Sequence, residues 1–135
     1  MLNFEPVAYE NNINIEYSIE PDIIINADKT MLTQLAHILL DNALKYAGDN
    51  GHVSIKLSRA SDGCSLSINN SGEVIASDDL AHLFDRFYRA DKSRAKGGHG
   101  LGLSIAYNIV REMKGKIEVA STLEQGTTFT VNLPR

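Results

Sequence analysis

Apolar and polar residues recur along the chain with two periods, and the switches between them mark its elements. Asn14 to Ile19 alternates and predicts a strand, with a second, shorter one at Ile23 to Ile25. Residues 4–11 predict a short helix or turn. Asp28 has the character of a helix N-cap. From there to about Ala47 the apolar positions Leu32, Leu35, Ala36, Leu39 and Ala43 follow helical spacing. Gly48-Asp49-Asn50-Gly51 predicts the turn that ends this helix. His52 to Ser58 alternates through Val53, Ile55 and Leu57, and Cys64 to Asn69 returns through Leu66 and Ile68, which together predict a hairpin. A loop leads to a short helix from Asp78 to about Tyr88, and residues 89–98 predict a mobile loop. Gly102 to Lys114 carries the stripe Leu103, Ala106, Ile109, Val110 and Met113 and predicts a helix closed by Gly115. Lys116 to Ala120 and Thr127 to Leu133 predict a last hairpin. This order predicts one domain over residues 1–135 of the α/β class. Its architecture is a two-layer α/β sandwich, a mixed sheet covered on one face by helices.

Composition removes several function classes. A chain of 135 residues with 43% apolar content can bury a core without staples. The single cysteine, Cys64, excludes an intrachain disulfide, and its strand-like neighbours predict a buried, inert thiol. The four histidines are scattered and have no cysteine companions, so no four-ligand metal pattern exists. No apolar run reaches the roughly 18 residues that span a bilayer, and the opening MLNFEPVAYENN lacks the apolar core of a secretory signal. The expectation is a soluble, cytoplasmic domain. The net charge of −4 argues against nucleic-acid binding. Against that acidity, Arg86, Arg89, Lys92, Arg94 and Lys96 cluster just before a glycine-rich stretch, a combination suited to an anion.

Three segments offer candidate chemistry. Asn42, Lys45 and Tyr46 share one helix face at the edge of the apolar stripe. There an amide oxygen suits Mg²⁺, an ammonium suits phosphate, and a tyrosine ring suits a base or ribose. The plain alternative is the polar border of an amphipathic helix. Asn69-Asn70-Ser71-Gly72 leaves a strand and either points an amide into a cleft or makes a simple turn. Gly97-Gly98-His99-Gly100-Leu101-Gly102-Leu103 opens a helix, where free backbone N–H groups and glycine freedom favour phosphate. Its spacing is neither a P-loop nor a dinucleotide fingerprint. A flexible hinge is the alternative.

These segments, in this order, resemble the catalytic domain of sensor histidine kinases, in the superfamily shared with gyrase, MutL and the heat-shock 90 chaperones. QLAHILLDNALKYA resembles the N box, NNSGEVI the first glycine box, and LFDRFYRADKSR the phenylalanine box with Phe84 and Phe87. GGHGLGLSIA resembles the second glycine box, and GTTFTVNLP the closing segment. The resemblance covers about residues 13–135 and implies a Bergerat-type sandwich that binds ATP and Mg²⁺.

By that resemblance, Asn42 would bind the Mg²⁺ that bridges the phosphates, Lys45 would contact phosphate, and Tyr46 would flank the nucleotide. Asn70 would read the adenine amino group, Gly72 would let the base approach the backbone, and Ile75, Leu101 and Leu103 would line the nucleotide. Gly98, Gly100 and Gly102 would line the triphosphate, and Thr127 would sit beneath the adenine. Residues 86–98 would form an ATP lid with Arg89 or Arg94 reaching the γ-phosphate. Phe87 would serve the lid hinge or the nucleotide. The γ-phosphoryl would pass to a histidine on a separate hairpin of the same kinase, and from there to a response regulator. The isolated domain would be monomeric, and the intact kinase dimeric and anchored in the bacterial cell membrane.

This sequence departs from the family pattern at three places. Ile38 stands four residues before Asn42, where a second asparagine is frequent; Asn70 replaces an aspartate; Val74 replaces a glycine. A gyrase-like ATPase, or a serine kinase of the anti-sigma type, would need a glutamate at position 38, and an isoleucine cannot activate water. A binding module without turnover is the remaining alternative. None of His37, His52, His82 and His99 has the context of a phosphorylated histidine.

Overall fold

The computed structural model describes residues 13–20, 29–47, 50–60, 63–72, 74–85 and 102–134. They form strand β1 (Asn14–Ile19), helix α1 (Lys29–Tyr46), strands β2 (His52–Ala60) and β3 (Gly63–Asn70), helices α2 (Ser77–Leu80) and α3 (Gly102–Glu112), and strands β4 (Lys116–Thr122) and β5 (Gly126–Pro134). The five strands make one sheet in the order β1-β2-β3-β5-β4. β1 runs parallel to β2 and every other pair is antiparallel, so the sheet is mixed. The predicted strand at Ile23 to Ile25, the N-cap Asp28 and the segment 4–11 lie outside the described residues.

The strand period of two sorts the residues into faces. Cross-strand register aligns Ile55, Ile68, Phe129 and Val119 in one row and Leu57, Leu66, Val131 and Ile117 in the next. α1 packs on β3, α3 packs on β4, and the two helices touch each other, so both lie on this apolar face. The opposite face carries Ser54, Asn69, Thr128 and Ser67 at the alternate positions. Phe129, Leu35, Leu39, Ile68, Val53, Val110 and Val131 are the largest side chains shut away from solvent. Of the predicted α1 stripe, Leu35, Leu39 and Ala43 are buried, Leu32 packs against the core and Ala36 is half-buried outside it, while Leu44 and Ala47 extend the buried face. Cys64 is buried, and desolvation pushes its thiol pKa up, which keeps it neutral and unreactive.

Two local expectations differ from the structure. Of the helix expected from Asp78 to Tyr88, the part within the described residues, up to Asp85, is regular only over Ser77–Leu80. Beyond it the bonds are of the i→i−3 kind, from His82 N–H to Asp79 O (3.0 Å) and from Asp85 N–H to His82 O (3.0 Å). This tighter winding swings Leu83 into the core and sets Phe84 against Phe129 (ring centroids 6.2 Å apart) and Tyr107 (5.5 Å). Helix α3 closes in a Schellman arrangement, with Lys114 N–H donating to Arg111 O and Gly115 N–H to Val110 O. The left-handed residue is Lys114 (φ 60°), not Gly115. Gly115 is required for another reason: a Cβ there would stand 2.4 Å from Asn132 O. Since Lys114 occupies a conformation that suits glycine, Lys114→Gly should stabilise the fold by about 0.5–1 kcal/mol. Urea unfolding would show it as a raised midpoint at unchanged slope.

Candidate nucleotide site

Among the described residues, three polar side chains are buried: Asn70, Ser104 and Thr127. Two of them are direct cross-strand neighbours, Asn70 on β3 opposite Thr127 on β5. Thr127 in turn faces Ser121 on β4. The inner face of the sheet, apolar in its two central rows, therefore ends in a row that runs Val53, Asn70, Thr127, Ser121. Buried polar groups cost free energy unless they are hydrogen-bonded, so such a row is stable only if its members find partners. Asn70 Nδ2 donates to Ser71 O (2.7 Å), which turns Oδ1 to the acceptor side. Ser121 Oγ accepts from the Ile75 N–H (2.9 Å) and shares a hydrogen bond with Thr127 Oγ1 (2.9 Å). Asn69, the neighbour in sequence, points to the other face and ties the β4–β5 turn through Gln125 O (2.7 Å) and Thr128 Oγ1 (2.8 Å). Alternation thus assigns the inward role to Asn70.

The end of α1 is fastened beside this row. Ser71 Oγ donates to Ala47 O (3.2 Å) and accepts from the His52 N–H (2.8 Å). Gly72 has φ 129°, and a Cβ on it would stand 2.2 Å from Tyr46 O. What this glycine admits is the closing carbonyl of α1, in addition to any role toward a base. Gly126 (φ 76°) makes the matching approach on the other side, where its Cβ would meet Asn70 O at 2.2 Å. The Asn70 carbonyl is thus approached by backbone that only glycine lets come close.

The opposite end of the site lies back along α1. The Cβ position of Gly102, the first residue of α3, is 3.6 Å from Ile38 Cγ2. The N-terminus of α3, which favours anions, therefore faces Ile38. Asn42 sits one turn beyond Ile38, and Ala47, tied to Ser71, lies roughly 7–8 Å further along the axis. Asn42 is half-buried, between the phosphate-favouring end and the base-sized polar row. Lys45 forms an ion pair with Asp41 (3.1 Å), both partly exposed, so an incoming phosphate competes with a carboxylate for it. Tyr46 is exposed at the rim. Ile75 and Leu103 are half-buried against the core.

The structure thus gathers Asn42, Lys45, Tyr46, Asn70, Gly72, Ile75, Gly102, Leu103 and Thr127 along α1 and the adjoining sheet end. Phe87, Arg89, Arg94, Gly98, Gly100 and Leu101, with the rest of the expected lid, lie outside the described residues. The sequence pattern assigns no separate role to Ser71 or Ser121. For Ser121 the signal was there: strand alternation from Ile117 and Val119 places it on the inner face. A groove of about 480 Å³ between α3 and β4, beside Tyr107, Arg111, Lys116 and Ile117, is lined by none of the candidate residues. The described residues include no group of three or more His, Cys, Asp or Glu suited to a metal, and no helix among them is long and apolar enough to cross a membrane.

Comparison with known proteins bears on this arrangement. The chain is 38% identical over 133 residues to sensor protein CiaH of Streptococcus pneumoniae, a match covering 97% of this chain and 30% of that protein. It is 41% identical over 114 residues to the signal transduction histidine-protein kinase ArlS of Staphylococcus epidermidis, covering 83% of this chain and 25% of the relative. The chain spans under a third of the length of these relatives. Among solved structures, the catalytic domain of histidine kinase ThkA superposes with a TM-score of 0.88 at 27% identity, covering 97% of this chain and 84% of that one. The mycobacterial sensor histidine kinase MprB superposes with a TM-score of 0.85 at 28% identity, covering 97% and 90%. Residues 27–135 match the family described as histidine kinase-, DNA gyrase B- and HSP90-like ATPase, and the chain belongs to that family.

Proposed function

We propose that this chain is the ATP-binding catalytic unit of a two-component sensor histidine kinase. It would hold Mg·ATP and present the γ-phosphoryl to a histidine on a separate helical hairpin. The observation that carries this reading is the buried polar row Asn70–Thr127 at the end of an otherwise apolar sheet face, beside the fastened end of α1. A row of that kind suits the flat, polar-edged face of a purine. Asn70 Oδ1 accepts from the adenine amino group, and Thr127 closes the floor beside it. The phosphates extend along α1 toward the N-terminus of α3, with Lys45 reached by exchange from Asp41 and with Arg89 or Arg94 of the lid over the γ-phosphate.

The donor set fits Mg²⁺ that arrives with its nucleotide. A hard dication that keeps several waters and takes one or two protein oxygens needs no acidic cage, and Asn42 supplies one neutral oxygen at the required place. When bound, the ion neutralises phosphate charge. The chain's own residues position the nucleotide and withhold water activation, since Ile38 has no basic atom. The acceptor imidazole nitrogen attacks the γ-phosphorus in line, the bond from that phosphorus to the bridging oxygen breaks, and ADP leaves. Such a unit works on the cytoplasmic side, with the hairpin and a response regulator as partners.

Radiolabelled ATP tests this. The chain alone should neither label itself nor release phosphate at the rate of a dedicated ATPase, and the hairpin of its own kinase, added separately, should become labelled. Label on this chain, or rapid phosphate release, would place it elsewhere in the superfamily. An unlabelled hairpin despite measurable Mg·ATP binding would favour a binding module without turnover.

A further inference from the structure

We propose that Ser121 sets the hydrogen-bond sense of the polar row, making Thr127 a proton donor to the ring nitrogen beside the adenine amino group; this rests on the base-site reading given above. Ser121 is a positioning residue in this scheme. It acts on the base through Thr127.

The hydroxyl pair Ser121–Thr127 has two possible senses. In one, Ser121 takes the Ile75 N–H and passes its own proton to Thr127 Oγ1. Every oxygen of the chain then accepts once before it donates, and Thr127 keeps a proton for a ligand. In the other, Thr127 donates to Ser121. The Ser121 oxygen then accepts twice, and Thr127 presents only lone pairs to a ligand. Donation from the backbone N–H into Ser121 polarises its O–H toward donating, which favours the first sense.

The first sense matches the one fixed at Asn70. Its Nδ2 is taken up by Ser71 O, so the amide presents Oδ1. Asn70 and Thr127 are register partners, with Cβ atoms roughly 5 Å apart. An acceptor beside a donor complements adenine, whose amino group lies beside the bare nitrogen N1. Guanine presents the reverse pair, a carbonyl beside N1–H. With the hydroxyl chain reversed, Thr127 would offer lone pairs and the row would contradict itself. An aspartate at position 70 could not donate to Ser71 O, so the asparagine is part of the same device.

The test is calorimetric titration of the chain with ADP, with 1-deaza-ADP (CH in place of N1) and with purine-riboside diphosphate (H in place of the amino group). The parent should prefer ADP to each analogue by about tenfold or more. Ser121→Ala should narrow the ADP to 1-deaza-ADP ratio to about threefold or less, while the ratio that reads the amino group stays within about twofold. Ser121→Thr, which keeps the hydroxyl, should restore the parent ratio. If Ser121→Ala fails to fold, Ser121→Cys, with a weak donor and acceptor of similar size, should narrow the same ratio. A parent ratio preserved in Ser121→Ala, or an equal loss for all three ligands, would reduce Ser121 to a loop anchor and overturn the proposal. A parent that binds all three ligands equally would overturn the base-site reading, and the relay with it.

Discussion

Asn42→Ala is expected to weaken Mg·ATP binding at least tenfold, about 1.4 kcal/mol, while changing nucleotide binding in the absence of Mg²⁺ by no more than about twofold. The asymmetry follows from what surrounds the site. Position 38, one turn earlier on α1, holds an isoleucine that packs toward Gly102 and offers no oxygen. The described residues provide no acidic cluster to take over the ion. In the proposed site the Asn42 amide oxygen would be the protein's ligand to the ion, and truncating it would leave phosphate oxygens and water. Titration calorimetry with and without Mg²⁺ separates the two binding modes. Equal Mg·ATP affinity in mutant and parent would refute the assignment.

Gly72→Ala should destabilise the domain by about 2–4 kcal/mol and weaken nucleotide binding with it. The added Cβ would stand 2.2 Å from Tyr46 O, and the backbone at φ 129° is one that side chains resist. Relief requires the end of α1 to move away from the exit of β3, which loosens the Ser71–Ala47 tie and the frame around Asn70. Gly102→Ala is the informative control. There the new methyl would meet Ile38 Cγ2 at 3.6 Å, an ordinary contact, so stability should stay within about 0.5 kcal/mol of the parent. Thermal unfolding of the two variants side by side reads the difference. Equal midpoints would mean that Gly72 is not held by the α1 carbonyl.

Much of this was legible in the residue pattern because the elements are amphipathic at a single clear period. α1 and α3 each bury a stripe of apolar residues that recur every third or fourth position, and the strands alternate through their central rows. Within the described residues, the short helix after the first glycine box is less regular than its pattern predicts. Its sequence, SDDLAHLFD, suits helical turns of either kind, and the i→i−3 bonds accompany the burial of Leu83 and the packing of Phe84 on Phe129. The closing of α3 was assigned to Gly115 on propensity. The choice of Lys114 for the left-handed position reflects a tertiary demand, since Gly115 is needed against the Asn132 carbonyl of β5.

The sequence by itself determined the class of fold, the order of the described elements and the burial of Cys64, and its resemblance to a known family nominated Asn42, Asn70 and Thr127 for one candidate site. Those features depend on local periodicity and on short ordered motifs, which a single chain displays without reference to distant residues. Only the tertiary structure decided how the site is held. The row Asn70–Thr127–Ser121 exists because the register of β3, β5 and β4 brings residues more than fifty positions apart side by side. The pairing of Lys45 with Asp41, and the use of Gly72 and Gly126 to admit neighbouring carbonyls, likewise depend on distances between atoms. Spacing along a chain fixes which face a side chain takes; which partner it meets there is set by the packing of elements that the sequence separates.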